Sequence, residues 1–425
     1  MIFSELLYTK ERFKMLPKIE QALTKLDDQE LEEEYLQLIT TLLEKGYFPG
    51  LEGVPVAKSS ISCIDGKKGL LTFRGYPVQE LAKHGTYEEI SFLLLKGDLP
   101  LLEERKELTA DLLDNKELDN NIAKTITTMS DDLHPMHMLS SSVSLLQSAD
   151  QNCFEVDNYN KNLNRAVRLI AKFPTIIGTF KNKDINFAAG ENFDSLARYI
   201  LYCFNEELAQ QDKWINIFEQ LLILHVDHTM NNSTFSVRAV GSSKASLYAS
   251  IATAVNSLSG PLHGGANERV IKMLKEIGDP DNVESYVADK IKNKEKIMGI
   301  GHRVYKTYDP RALYLKENIL PQIFNEENDI DSELENLYNT AQKLEQISLN
   351  KFADKGIYPN VDFWSGLVLR AMGIEPEYFT TVFALGRIIG WTSHWVENME
   401  VKNKIYRPNQ LYDGFNTRHI VREEE

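Results

Sequence analysis

Three short segments concentrate the side chains able to do acid–base chemistry: SGPLHGGANE with His263, IMGIGHRVYKTYDPRA with His302, and GIYPNVDFWSG with Asp362. Gly and Pro cluster in all three, and these residue types mark tight or unusual backbone. Functional groups favour loops held by a rigid scaffold, so the three loops are where a site is expected. A carbon acid needs a base placed against it and a hydrogen-bond donor at the oxygen that gains charge. One carboxylate and two imidazoles suffice for that without a metal.

Each residue also has a plainer reading. His263 lies just before a helix whose stripe is Val270, Ile271, Leu274 and Ile277, with Glu268 in its first turn and Gly278, Asp279 and Pro280 ending it. The positive end of that helix disfavours imidazolium and favours a neutral ring suited to an enol or enolate oxygen. Gly264 and Gly265 would let a ligand approach the backbone. The plainer reading is a loop His capping a helix. His302 stands between a Gly-rich turn and the basic Arg303, Lys306 and Arg311, with Lys290, Lys292, Lys294 and Lys296 upstream. Such a stretch suits phosphates and carboxylates. A solvated lysine face, diluted by Asp289 and Glu295, is the alternative. Asp362 opens a helix running through Leu367 and Leu369, as an N-cap or as a base.

His225, Asp227 and His228 in ILHVDH have a spacing reminiscent of metal ligands. HxDH is not HExxH, and no Cys lies near, so His225 reads first as a core residue on its helix stripe. Arg387 in LGRIIGW and Arg407 in IYRPNQ read, alone, as surface or helix-terminal charge.

The elements that must position these loops are mostly helices. Trp214, Ile215, Phe218, Leu221 and Leu222 form one amphipathic stripe. Strand signals are short, the clearest being GLLTFRG after Asp65-Gly66. The expected fold is mainly α with one small hairpin. The acidic stretch LDDQELEEEYLQLITTLLEKG reads as a charged peripheral helix or an oligomer contact. Length allows two or three domains, and no repeat or low-complexity linker divides the 425 residues.

Composition bounds the partners. The 47 basic and 62 acidic residues leave a net charge of −15, which argues against nucleic acid or an anionic membrane as partner. An anionic substrate would need a local basic site. No run is long and apolar enough to span a membrane, and the N-terminus lacks a secretory or transit pattern. Cys63, Cys153 and Cys203 form no framework, which predicts a reducing compartment, no disulfide and buried, inert thiols. A cytoplasmic protein is expected.

Together the three loops, in order, resemble the citrate synthase family. The likeness covers nearly the whole chain after about residue 50, including GLEGVPVAKSSISCIDGKKGLLTFRGYPVQELA and HVDHTMNNSTFSVRAVGSS. The resemblance implies a large helical domain from residues 1–262 and 367–425, a small one from 263–366, and a site in the cleft between them. It implies that Asp362 takes a methyl proton from acetyl-CoA, His263 steadies the enol, and His302 polarises and protonates the carbonyl of oxaloacetate. His228, Arg311, Arg387 and Arg407 would bind oxaloacetate or citrate, with Arg407 coming from a partner subunit. Lys306 would face CoA phosphates, and Asn360 would position the loop at the CoA side. The resemblance implies no cofactor, no metal, and a homodimer at least, with a hexamer as the larger form. The nearest sibling is 2-methylcitrate synthase, which uses propionyl-CoA. Alternatives of other classes are a CoA- or citrate-binding homologue without turnover and a metal hydrolase built on His225 and His228.

Overall fold

A computed structural model describes residues 48–187, 193–325, 330–401, 404–410, 412 and 414–420. The acidic stretch near the N-terminus lies outside them. The chain divides into a unit formed by its two terminal segments, Met1–Lys58 and Arg407–Glu425, and a unit of Ser59–Tyr406. In the terminal unit the described residues include a 3-10 turn at Pro49–Leu51. In its C-terminal segment the Arg418 guanidinium stacks 3.6 Å from the Phe415 ring centroid.

The Ser59–Tyr406 unit is mainly helical, as expected. Its sheet exceeds the expected hairpin by one short strand. Strands β1 (Ser62–Asp65), β2 (Leu70–Phe73) and β3 (Tyr76–Pro77) pair antiparallel in that order, with Asp65 opposite Leu70 and Phe73 opposite Tyr76. Arg74, at φ 50°, turns β2 into β3 within two residues, a geometry that composition alone does not announce.

The helices that build and surround the site are α1 (Tyr87–Lys96), α2 (Pro135–Leu145), α3 (Tyr159–Lys181), α4 (Asp212–His225), α5 (Asn232–Gly241), α6 (Leu247–Leu258), α7 (Ala266–Ile277), α8 (Val283–Lys292), α9 (Pro310–Tyr314), α10 (Ser332–Phe352), α11 (Val361–Ala371) and α12 (Phe379–Glu400). Local chemistry sets their ends. Thr86 and Glu89 form a reciprocal capping box on α1, and Gly97 closes it in the left-handed region. Gly278, at φ 76°, ends α7 where the sequence placed its stop.

α12 is the spine. Its residues from Phe379 to Val396 are almost all buried, so it has no solvent face, and it packs against α3, α4, α5 and α6. Two glycines let α4 approach it. A Cβ at Gly386 would meet the Leu222 carbonyl oxygen at 2.6 Å, and one at Gly390 would strike the Val226 carbonyl and lie 2.7 Å from an Asp227 carboxylate oxygen. α4 carries the predicted stripe, yet its last turns are buried on every side, because Ile223, Leu224 and His225 are enclosed as well. The segment after α4 is thereby fixed from both flanks. Of the cysteines, Cys153 and Cys203 are buried as expected; Cys63 is exposed, because it alternates out of the short edge strand β1.

Candidate active site

The turn after α4 is the first wall. Asp227 is fully buried and accepts hydrogen bonds from the Thr229 amide at 3.1 Å and from the Ser62 hydroxyl of β1. His394 of α12 approaches it with Nε2 at 3.3 Å. Behind His394, the Arg238 Nε donates to Nδ1 at 3.0 Å, and Arg238 also pairs with Glu397. Carboxylate, imidazole, guanidinium and carboxylate thus form one connected chain, in which His394 Nδ1 accepts from Arg238 and leaves Nε2 to face Asp227. Against the pull of burial, His394 and Arg387 hold the Asp227 carboxyl below the usual range. This chain pins His228, whose ring is buried and whose Nε2 has no hydrogen-bond partner among the described residues. Burial, together with the charges of Arg311 and Arg387, keeps that ring neutral.

His263 sits in a tight turn. Its amide donates to Gly260 O at 2.9 Å, the Gly264 amide to Leu258 O at 2.9 Å, and the Arg269 side chain to the carbonyls of Gly265 and Pro261. Gly264 is required by that turn rather than by a ligand, because a Cβ there would lie 2.5 Å from the Leu258 carbonyl oxygen. Gly265, which caps α7, faces open space. The ring meets a different helix from the one expected. Its Nε2 lies 3.3 Å from the Ser233 amide and 2.8 Å from the Ser233 hydroxyl, in the first turn of α5. An amide can only donate, so Nε2 accepts and a neutral ring carries its proton on Nδ1. Burial and the nearby Arg387 lower its pKa to about 4.

A miniature ladder joins the other two loops. Gly301 N donates to Tyr358 O at 2.8 Å, Asn360 N donates to Gly299 O at 2.9 Å, and Ile300 bridges Pro359. The ladder needs Gly299 and Gly301, at φ 74° and 103°. It places His302 beside the start of α11. His302 Nδ1 accepts from the amides of Val304 at 2.9 Å and Tyr305 at 3.2 Å, so its proton sits on Nε2. Burial outweighs the opposing charge of Asp309 and, with Arg311 and Lys306, lowers the pKa to about 4.

Asp362 is not the cap of α11. Asn360 caps it, accepting from the Asp362 amide at 3.0 Å, and Asp362 occupies the second helical position. Its Oδ1 is buried without a partner. Burial raises the carboxyl to about 6, with Asp309 adding to the shift and Arg311, Arg387 and Arg269 opposing it. The cap reading thus passes to Asn360, and Asp362 is left as a free carboxyl whose pKa is near neutrality.

Two arginines join these walls. Arg311 grips Asp309 in a bidentate pair, Nε to Oδ1 at 3.1 Å and a terminal nitrogen to Oδ2 at 2.8 Å, both groups buried. Arg387 is 1% exposed, donates from Nε to His225 O at 2.7 Å and lies over the Phe383 ring. Among the described residues no carboxylate forms an ion pair with it. The charge of Arg311 acts on His228, His302 and Asp362, and that of Arg387 acts on His228, His263 and Asp362. Six of the expected residues therefore share one electrostatic environment.

The remaining expectations part ways. Lys306 is exposed, and its amide is tied to Gly66 O at 2.9 Å. Asn360 uses its side chain internally, donating to Gly301 O at 2.9 Å besides capping α11. Arg407 belongs to the terminal unit and is exposed. In the lysine stretch, Lys290 pairs with Glu295 at 2.6 Å, while Lys292, Lys294 and Lys296 are exposed. His225 is a core residue, its Nδ1 2.8 Å from Leu221 O. Among the described residues no three His, Cys, Asp or Glu side chains group to hold a metal. Sequence reading weighed Asp227 only as a metal ligand and passed over Ser233, Arg269, Tyr305, Asp309 and His394. The Asp309-Pro310 pair was a visible helix-start signal. The others carry no local signal, because their partners lie far away in the chain.

Two neutral imidazoles of fixed tautomer, one carboxyl titrating near neutrality and two buried guanidiniums define an acid–base site for an anionic ligand, carried on a helical scaffold. The family described as citrate synthase, C-terminal domain, matches residues 50–409. A citrate synthase from Synechocystis is 39% identical over 370 residues, 86% of this chain and 90% of that protein. One from Saccharolobus solfataricus is 37% identical, over 86% of this chain and 95% of that protein. Citrate synthase from Thermotoga maritima superposes with a TM-score of 0.74 at 35% identity, covering 88% of this chain and 99% of that one. The Thermoplasma acidophilum enzyme, solved as a ternary complex with carboxymethyl coenzyme A and oxaloacetate, does so with 0.79 at 30%, covering 88% and 97%. The chain belongs to the citrate synthase family, and it is an enzyme of the acyltransferase type.

Proposed function

We propose that this enzyme condenses acetyl-CoA with oxaloacetate and water to give citrate and CoA. The observation that carries the reading is Asp362: a part-buried carboxyl with a buried, unpartnered Oδ1, a pKa of about 6 and the charges of both arginines acting on it. A base whose pKa lies near the working pH is well matched to taking a proton from a carbon acid. Asp362 takes a methyl proton from the thioester. His263 donates from Nδ1 to the thioester oxygen, and a neutral donor avoids adding a cation beside Arg387. The enol carbon attacks the oxaloacetate carbonyl, and His302 delivers its Nε2 proton to the new alkoxide. Hydrolysis of the citryl thioester then releases CoA. His228, Arg311 and Arg387 hold the dicarboxylate, with Arg407 of the partner subunit joining them.

On this reading residues 263–366 form a small domain and residues 1–262 and 367–425 a large one. Closure of the cleft excludes water from the enol. Lys306 faces the CoA phosphates, and Asn360, on the CoA side of the site, positions the loop near the base. The enzyme works as a homodimer or larger assembly in the cytoplasm and needs no metal or further cofactor. The Thermoplasma neighbour's two ligands support the substrate pair. The citrate synthase relatives favour acetyl-CoA over the propionyl-CoA of 2-methylcitrate synthase.

The test is release of free thiol from acetyl-CoA upon addition of oxaloacetate, with propionyl-CoA run alongside. Thiol release faster with the acetyl donor is expected. No release with either donor would overturn the reading, and a faster propionyl reaction would replace it by the sibling activity.

A further inference from the structure

Tyr305 is buried to 1% exposure, and its hydroxyl has no hydrogen-bond partner among the described residues. Buried tyrosine hydroxyls usually find a partner, and an orphan in a native fold asks for an explanation. The ring fixes where this one lies. Its centroid is 4.7 Å from that of His302 and 5.6 Å from that of His228, and those two imidazoles are 5.2 Å apart. Three rings thus meet edge to face or tilted around one spot. His228 Nε2 and Asp362 Oδ1, on other walls of the site, are also buried and unpartnered. Orphan polar atoms gathered in one site have the pattern of groups that wait for a ligand rather than of isolated packing faults.

Charge narrows the ligand atom. Arg311 and Asp309 both act on the phenol, and burial raises its pKa. It is therefore a neutral donor under the influence of a guanidinium already gripped by Asp309. A carboxylate is the ligand group that both a neutral donor and the Arg311 charge acting on it would favour. The backbone adds a second link, because the Tyr305 amide is one of the two donors to His302 Nδ1.

We propose that the Tyr305 hydroxyl is a substrate-binding group, donating a hydrogen bond to a carboxylate oxygen of the dicarboxylate that Arg311 attracts. The inference rests on the proposed 2-oxo dicarboxylate acceptor. Its side chain recognises the acceptor while its amide sets the tautomer of the imidazole that acts on that acceptor.

Tyr305→Phe tests this, because it removes one oxygen and keeps the ring packed against the two histidines. The probes are oxaloacetate binding by calorimetry, KM for both substrates, and the melting temperature of the free enzyme. Expected are an oxaloacetate affinity about 10- to 100-fold weaker, the range for a hydrogen bond to a charged group, and a KM for acetyl-CoA changed less than about twofold. The melting temperature should hold or rise, since no protein hydrogen bond is lost. Unaltered oxaloacetate affinity overturns the proposal, as does a lowered melting temperature with equal losses for both substrates. If the wild-type enzyme binds no oxaloacetate, the functional reading itself fails and this inference falls with it; wild-type binding matched by the variant sinks the Tyr305 role alone.

Discussion

The Asn360 side chain clamps Asp362 to the His302 loop: its oxygen accepts from the Asp362 amide at 3.0 Å while its nitrogen donates to Gly301 O at 2.9 Å. One carboxamide thus sets the spacing between the proposed base and the proposed acid. Asn360→Ala removes both bonds. It is expected to cost about 1 kcal/mol of stability as a lost cap and about 10²-fold in kcat through misplacement. Denaturation and steady-state kinetics on the same preparation check this; an unchanged kcat would show that the clamp is not needed for alignment.

Asp362→Asn should lower kcat by about 10²- to 10⁴-fold, the usual range for a general base, while oxaloacetate still binds. In the wild type, kcat/KM should rise with pH through about 6, following the ionised carboxyl. His263 and His302, at about 4, are already neutral there and set no limit. The stability sign is opposite. The folded carboxyl keeps its proton up to about pH 6, whereas its ordinary pKa is 3.8. Its contribution is fully present below that ordinary value and is lost as pH rises through about 6, a loss of the order of 3 kcal/mol. Asp362→Asn should therefore be more stable than wild type at pH 8 and not at pH 3.5, as read by urea midpoints. A variant less stable at pH 8 would contradict the raised pKa of this unpaired carboxyl.

Arg387→Leu should weaken oxaloacetate binding by about 10- to 100-fold, because a charged donor to the ligand is lost. The KM for acetyl-CoA should move less. Calorimetry with oxaloacetate decides it, and equal effects on both substrates would argue for general damage, since Arg387 also braces the end of α4 through His225 O.

Gly390→Ala should destabilise by about 1–3 kcal/mol from overpacking. The new methyl would press on Val226 and Asp227, one residue from His228. Oxaloacetate affinity should fall together with the denaturation midpoint. A midpoint equal to wild type would mean that α4 and α12 yield more readily than their close approach indicates.

What the sequence determined by itself was the choice of chemistry. Side-chain type and local spacing are enough to single out His263, His302 and Asp362 in their Gly/Pro loops, and 3.6-residue periodicity is enough to make the scaffold helical. Those are local properties. Only the tertiary structure decided which ring nitrogens carry protons, which residue caps α11, and how far each pKa moves, because those depend on partners distant in the chain. Asp227 meets Ser62 across 165 positions and His394 across 167. In one dimension Arg387 and Arg407 read alike, each as surface or helix-terminal charge. The fold instead set Arg311 and Arg387 into a buried, low-dielectric environment, where a charge acts strongly on its neighbours.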